Sequence, residues 1–163
     1  MSDESEWSGF WEEVAFHEAG HVVVAHHFKM TVLWVRLCRD YKAKGEQPGQ
    51  CRIAPSEISD GSICRWLAGP IAMARLRGKP LAAALKECSA SDDVRWARQY
   101  AERLTAAHFC HEGKDPEDVF GECVEKTKEL VAELWPAIWE IATALEKTDR
   151  LEQPAINALI TSA

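Results

Sequence analysis

Ala15-Phe16-His17-Glu18-Ala19-Gly20-His21-Val22-Val23-Val24-Ala25 is the stretch on which the reading of this chain turns. Val14, His17, His21, Ala25 and Phe28 recur at steps of three and four residues, which places them on one face of a helix. Ala19 and the valines from Val22 to Val24 make the other sides apolar as well. A helix apolar nearly all round is a buried one. The pattern predicts a helix from Ser8 or Gly9 to Phe28, with Ser8 as N-cap. Glu12 and Glu13 fall in its first turns, where the helix dipole favours anions.

His17, Glu18 and His21 make up a His-Glu-x-x-His motif. Residues four apart stand one above the other, so two imidazoles can converge on a single Zn²⁺. Glu18 is rotated by about 100° from His17. That puts it beside the metal without being a ligand, the place for a general base on a water whose pKa zinc lowers to about 7. The competing reading is a pair of packed core histidines. Polar groups buried on an apolar face without partners cost about 1–3 kcal/mol each, and a metal supplies the partner.

A catalytic zinc takes a third protein ligand. His27 stands at the metzincin spacing, but Val24 occupies the position where that pattern has a glycine to turn the chain out of the helix. With the helix continuing, His27 lies about 120° around from His21. The other candidate is a carboxylate on a separate helix. Asp92 and Asp93 both occupy the first turn of a helix capped by Ser89 or Ser91, and composition does not choose between them.

Outward from the motif, Thr31 to Leu37 is β-branched and aromatic and reads as a strand. Arg39 to Gln50 is a polar loop containing Gly45 and Pro48-Gly49, and Gln50 to Ala54 reads as a short return strand. Ser59 to Arg77 is a helix that Pro70 should kink or interrupt. Asp92 to Ala107 is helical, His108 to Pro116 is a loop, and Glu117 to Lys147 is a long helical region bent near Pro136. Pro154 opens a last short helix ending near Ile160. The sum is mainly α, one domain over residues 1–163, with a small β-hairpin element.

The chain of 163 residues is long enough to bury a core without staples. A net charge of −7 and a pI near 5.4 argue against nucleic acid as the partner. The acidic start Met1-Ser2-Asp3-Glu4 lacks the pattern of a secretory signal, and the apolar run Val22 to Ala25 is too short to span a bilayer. A soluble, cytoplasmic protein without a membrane segment is the expectation. None of the six cysteines forms Cys-x-x-Cys, so most are expected reduced and packed as small apolar residues. Cys38 and Cys51 could face each other across the hairpin. His108, Cys110, His111 and Cys123 fit no zinc spacing and read as the polar end of a loop. The seven tryptophans read as core and interface filler, Trp135 and Trp139 packing one helix face.

Ala15 to Ala25 resembles the active-site helix of the FtsH family, membrane-anchored AAA+ zinc proteases. Three further segments match in the same order. Leu67-Ala-Gly-Pro-Ile-Ala-Met-Ala-Arg-Leu-Arg-Gly78 resembles the family's Leu-Gly-Gly-Arg-Ala-Ala-Glu-Glu helix. Ser89-Ala-Ser-Asp-Asp-Val94 resembles its Gly-Ala-Ser-Asn-Asp-Ile turn, and residues 144–159 resemble the close of its peptidase domain. The resemblance covers residues 13 to 160. It implies a zincin-like helical metallopeptidase fold, with His17, His21 and Asp93 as Zn²⁺ ligands and Glu18 as the catalytic base. The implied activity is that of a zinc-dependent metalloendopeptidase, independent of ATP, acting on peptides or unfolded protein segments. The substrate would lie extended along the strand Val32 to Leu37. The family's ATPase and membrane segment have no counterpart in these residues, so a separate unfoldase and an oligomer are the partners to consider. Pro70, Met73 and Ala74 replace an arginine and two glutamates of the family pattern, and the loops after Arg39 and Ala107 are shorter. These departures favour one alternative, a catalytically idle zinc-binding module serving protein–protein interaction.

Overall fold

The computed structural model describes residues 4–87 and 91–163. The expected cap Ser89, and Cys88, lie outside these residues. The elements in chain order are α1 (Glu4–His27), β1 (Val32–Leu37), α2 (Tyr41–Lys44), β2 (Gly49–Ile53), α3 (Asp60–Leu76) and α4 (Leu81–Glu87). They continue with α5 (Asp92–Thr105), α6 (Pro116–Glu133), α7 (Trp135–Thr148), β3 (Arg150–Glu152) and α8 (Gln153–Ser162).

α1 is the central element. Ala15, Phe16, Ala19 and Val22 to Ala25 are all essentially inaccessible, as expected of a helix apolar on every side. It starts at Glu4, so Ser8 falls inside the helix and does not cap it. It ends at His27 because Lys29 turns left-handed (φ 61°) and Met30 N–H reaches back to Ala25 O at 3.0 Å. α3 packs along one side of α1, α7 along another, and the sheet covers a third. α5 and α6 close over the outer side of α3.

Between α1 and α3 the backbones come unusually near. A Cβ on Gly20 would lie 2.6 Å from the Ala68 carbonyl oxygen and 2.9 Å from Ala72 Cβ. Gly20, Ala68 and Ala72 are therefore small for one reason, the distance between the two helix axes.

Four elements depart from expectation. Pro70 does not interrupt α3, which runs unbroken from Asp60 to Leu76 and is buried around the proline. The expected long helix 117–147 is two helices, because Pro136 has no N–H to give to the carbonyl of the preceding turn. It sits instead in the first turn of α7, where none is required. The loop after Arg39 contains the single turn α2. The expected hairpin is a three-stranded antiparallel sheet in the order β2-β1-β3. β1 is thus the central strand, with Trp34, Val35 and Arg36 paired on both sides, and its backbone is not free to bind a substrate. The outer strands β2 and β3 are the edges of the sheet. No helix among the described residues is long and apolar enough to cross a membrane.

The α1–α3 contact makes a prediction about stability. Gly20→Ala should gain about 1 kcal/mol of helix propensity, yet its methyl group meets backbone that cannot move without separating the helices. The expected result is a net loss of about 1–3 kcal/mol, read as a lower urea midpoint at unchanged m-value.

Candidate metal centre

α1 presents His17 and His21 on the face turned to α3 and to the start of α5. Asp93 enters from the first turn of α5, whose N-terminus is capped by Ser91 Oγ accepting from Val94 N–H at 3.5 Å. Three ligand-type atoms converge there. His17 Nε2 and His21 Nε2 are 3.0 Å apart, and Asp93 Oδ2 lies 2.9 Å from the first and 3.5 Å from the second. Donors about 2.0–2.1 Å from a tetrahedral ion are separated by about 3.3 Å, so the triangle already has nearly the right edges.

The tautomer of His21 is fixed from behind. Its Nδ1 donates to Arg65 O at 2.6 Å, leaving the Nε2 lone pair aimed at the other two groups. Its side chain is 6% exposed, whereas those of His17 and Asp93 are 22% and 17% exposed, so the triangle is sealed below and open above. Gly69 on α3 leaves the space in front of the rings. A Cβ there would stand 2.7 Å from His21 Cε1 and 2.8 Å from His17 Nε2.

Protons compete for the same position. Burial opposes a charged His21, but the Asp93 carboxylate overrides it and pushes the pKa up to about 9. Desolvation likewise opposes the charge on Asp93, yet the two imidazoles hold its carboxyl well below the usual range. Without a metal the group is a His–Asp ion pair. A divalent cation replaces the proton with the same three donors, and a His₂Asp set with nitrogen and oxygen donors suits zinc.

Glu18 is buried beside this triangle rather than within it. Burial raises its pKa, with His21 and His17 pulling the other way. β2 packs directly across it. A Cβ on Gly49 would lie 2.6 Å from Glu18 Cγ and Oε1, and the Cys51 thiol adjoins the carboxylate. Burial and the neighbouring Glu18 charge push the Cys51 thiol well above its usual range, so it stays protonated. Desolvation thus favours the protonated form of this carboxylate, and the two imidazoles oppose it.

The site opens into a groove of about 930 Å³ whose borders include α1, β2, α3 and α5. Trp34, Trp66 and Trp96 line it together with Phe10. Trp66 and Trp96 are stacked with centroids 6.3 Å apart, and the Arg65 guanidinium lies 4.2 Å above Trp66. Trp34 and Trp96 are not core filler, while Trp66 borders the groove and also packs against the core. Trp135 and Trp139 both pack against Phe16 of α1, as expected, although Trp139 stays half exposed.

Of the residues singled out in the sequence, His17, His21 and Asp93 come together with Glu18 beside them. Asp92 points away and pairs with Arg95 at 2.6 Å, and His27 is exposed with its ring against Phe28. Cys38 does not face Cys51, whose partner across the hairpin is Val35. Gly69, Gly49 and Cys51 were missed. The one signal for Gly69 was a glycine inside an apolar helical pattern, which marks a close approach without saying to what. No family model matches this chain, and no curated protein matches it.

The choice between the two aspartates can be measured. Asp93→Ala should weaken zinc binding by more than the roughly 10–100-fold typical of losing an outer-shell partner, while Asp92→Ala leaves it unchanged. Competition with a chromogenic chelator reads both.

Proposed function

We propose that this protein is a zinc-dependent metalloendopeptidase of the FtsH peptidase type, with a zincin-like active site, cutting peptides or unfolded protein segments. The observation that carries the reading is the convergence of His17 Nε2, His21 Nε2 and Asp93 Oδ2 beside a buried carboxylate that is not one of them. A site serving structure alone has no use for Glu18.

When bound, zinc supplies Lewis acidity, which polarises a carbonyl and brings the pKa of a water near 7. The chain's own residues do the rest. His17, His21 and Asp93 hold the ion, and Arg65 O fixes the His21 ring. Glu18 takes the proton from the attacking water and passes it to the leaving amine. Gly49 and the Cys51 thiol restrict where the Glu18 carboxylate can point.

Substrate orientation follows from the sheet. With β1 paired on both sides, an extended peptide must add to an edge strand, and of the two edges it is β2 whose residues 49–52 border the groove. The tryptophan-lined walls favour apolar or aromatic side chains next to the scissile bond. A folded domain cannot lay a strand along this edge, so its substrates are peptides, tails and unfolded chains, free or delivered by a separate unfoldase.

The test is cleavage of an unfolded protein by the zinc-loaded wild type and by Glu18→Gln. Removing a general base costs roughly 10²–10⁴-fold in rate. The expected result is cleavage by the wild type, a loss of that order in the variant, and equal zinc content in both. Zinc-loaded wild type that cuts nothing would overturn the peptidase in favour of a zinc-holding interaction module.

A further inference from the structure

A second group of metal-type donors lies away from this groove. Asp60, the first residue of α3, meets Cys110 and His111 of the loop between α5 and α6, and their ligand atoms all lie within 4.8 Å of one another. α5 alone puts roughly 18 Å between Asp93 and its own last residue, Thr105, so the two groups share no ligand. The sequence grouped Cys110 and His111 with His108 and Cys123, which is why no zinc spacing emerged. Cys123 is instead buried on α6, its carbonyl accepting from Thr127 Oγ1 at 2.6 Å, and His108 is exposed. The missing donor comes from about fifty residues upstream.

We propose that Asp60, Cys110 and His111 form a second divalent-metal site, of the zinc type, that fastens the α5–α6 loop to the start of α3. The inference is independent of the reading of the first site.

Three features carry it. The donors differ in kind, a carboxylate oxygen, a thiol and an imidazole nitrogen, which is the mixed set that zinc accepts and harder ions such as magnesium do not. The loop that carries two of them is also held in place by its own backbone. His111 N–H bonds Leu104 O at 3.1 Å, Gly113 N–H bonds Thr105 O at 3.2 Å, and Lys114 N–H bonds His111 O at 3.0 Å, with Gly113 turning left-handed at φ 81°. Finally, Asp60 is not needed as a cap. Ser62 Oγ accepts from Ser59 N–H at 3.2 Å at this helix end, and the Asp60 carboxylate faces His111 Nε2 at 2.6 Å.

Binding needs little rearrangement. Bonds of about 2.0–2.1 Å to nitrogen and oxygen require the His111–Asp60 separation to open to about 3.3 Å. Cys110 loses its thiol proton to solvent and binds as thiolate, while the neutral imidazole carries its remaining proton on Nδ1. Cys110 is exposed and the side chains of His111 and Asp60 are 16% and 35% exposed, so the ion can enter and water can fill the fourth position. The plain alternative is a His–Asp ion pair that holds the loop with no metal at all.

Cobalt separates the two, because a thiolate ligand gives Co²⁺ an intense near-ultraviolet charge-transfer band and the His₂Asp group contains no sulfur. The full chain is titrated with Co²⁺ without oxygen, following that band and the cobalt bound per chain. The expected result is a thiolate band in the wild type, absent in Cys110→Ser, which keeps its helical circular dichroism and binds one ion fewer. Asp60→Asn and His111→Ala should shift the titration of the band to at least tenfold higher cobalt. Cys51→Ser removes the thiol bordering the first site and should leave the band in place. Saturation without a thiolate band, or a band that survives Cys110→Ser or disappears in Cys51→Ser, would overturn the proposal.

Discussion

The packing of α1 on α3 governs this molecule, because it fixes where two imidazoles can sit. The helices approach until Gly20 touches the Ala68 carbonyl, and one residue further along α3 Gly69 leaves space for the histidine rings. Were the axes farther apart, Arg65 O could not reach His21 Nδ1 and the ring would lose the partner that sets its tautomer. The same contact explains why a long stretch of α1 has no solvated face. The helix carries the core and the site at once, so the chemistry is mounted on the least deformable part of the fold.

Burying two histidines, an aspartate and a glutamate together is tolerable only as a set. Each carboxylate is opposed by desolvation and supported by the imidazoles. Breaking a buried pair by removing one member typically costs about 3–5 kcal/mol, because the survivor is left uncompensated. His21 and Asp93 form the net-stabilised pair. Glu18 is the exception, since burial outweighs the pull of His21 and His17 and raises its pKa. Structural ion pairs do not need such a member. On the proposed function, a carboxylate that burial disposes to accept a proton is what a general base beside a Lewis acid requires.

What could be read from the sequence was whatever lies within a few turns of one element. The buried character of α1, the shared face of His17 and His21, the start of α5 after Ser89 or Ser91, the proline in the first turn of α8, and the strands on either side of the 39–48 loop all arise from local spacing. What could not be read depends on partners distant in the chain. Residues 150–152 are too few to show alternation, and become a strand because β1 is there to pair with. Pro136 signals a disturbance, but whether it bends one helix or separates two depends on how α6 and α7 pack. Trp34, Trp66 and Trp96 look like any buried aromatics until α3 and α5 bring two of them into a stack. His111 meets a carboxylate some fifty residues away, a pairing that no spacing rule contains.

β2 joins these two levels. It is five residues long and an edge strand, normally a liability that invites unwanted pairing. Here its inner surface lies against Glu18 through Gly49 and Cys51, while its backbone borders the groove. Arg36 of β1 steadies it from the neighbouring strand, donating to Gln50 Oε1 at 2.7 Å and to Glu46 at 3.1 Å. On the proposed function, a peptide that lengthens the sheet at this edge also stiffens the strand that confines the base. Binding of the main chain and orientation of Glu18 then act through the same five residues. That gives a physical reason for a glycine and a cysteine, with their small side chains, at the two positions that touch the carboxylate.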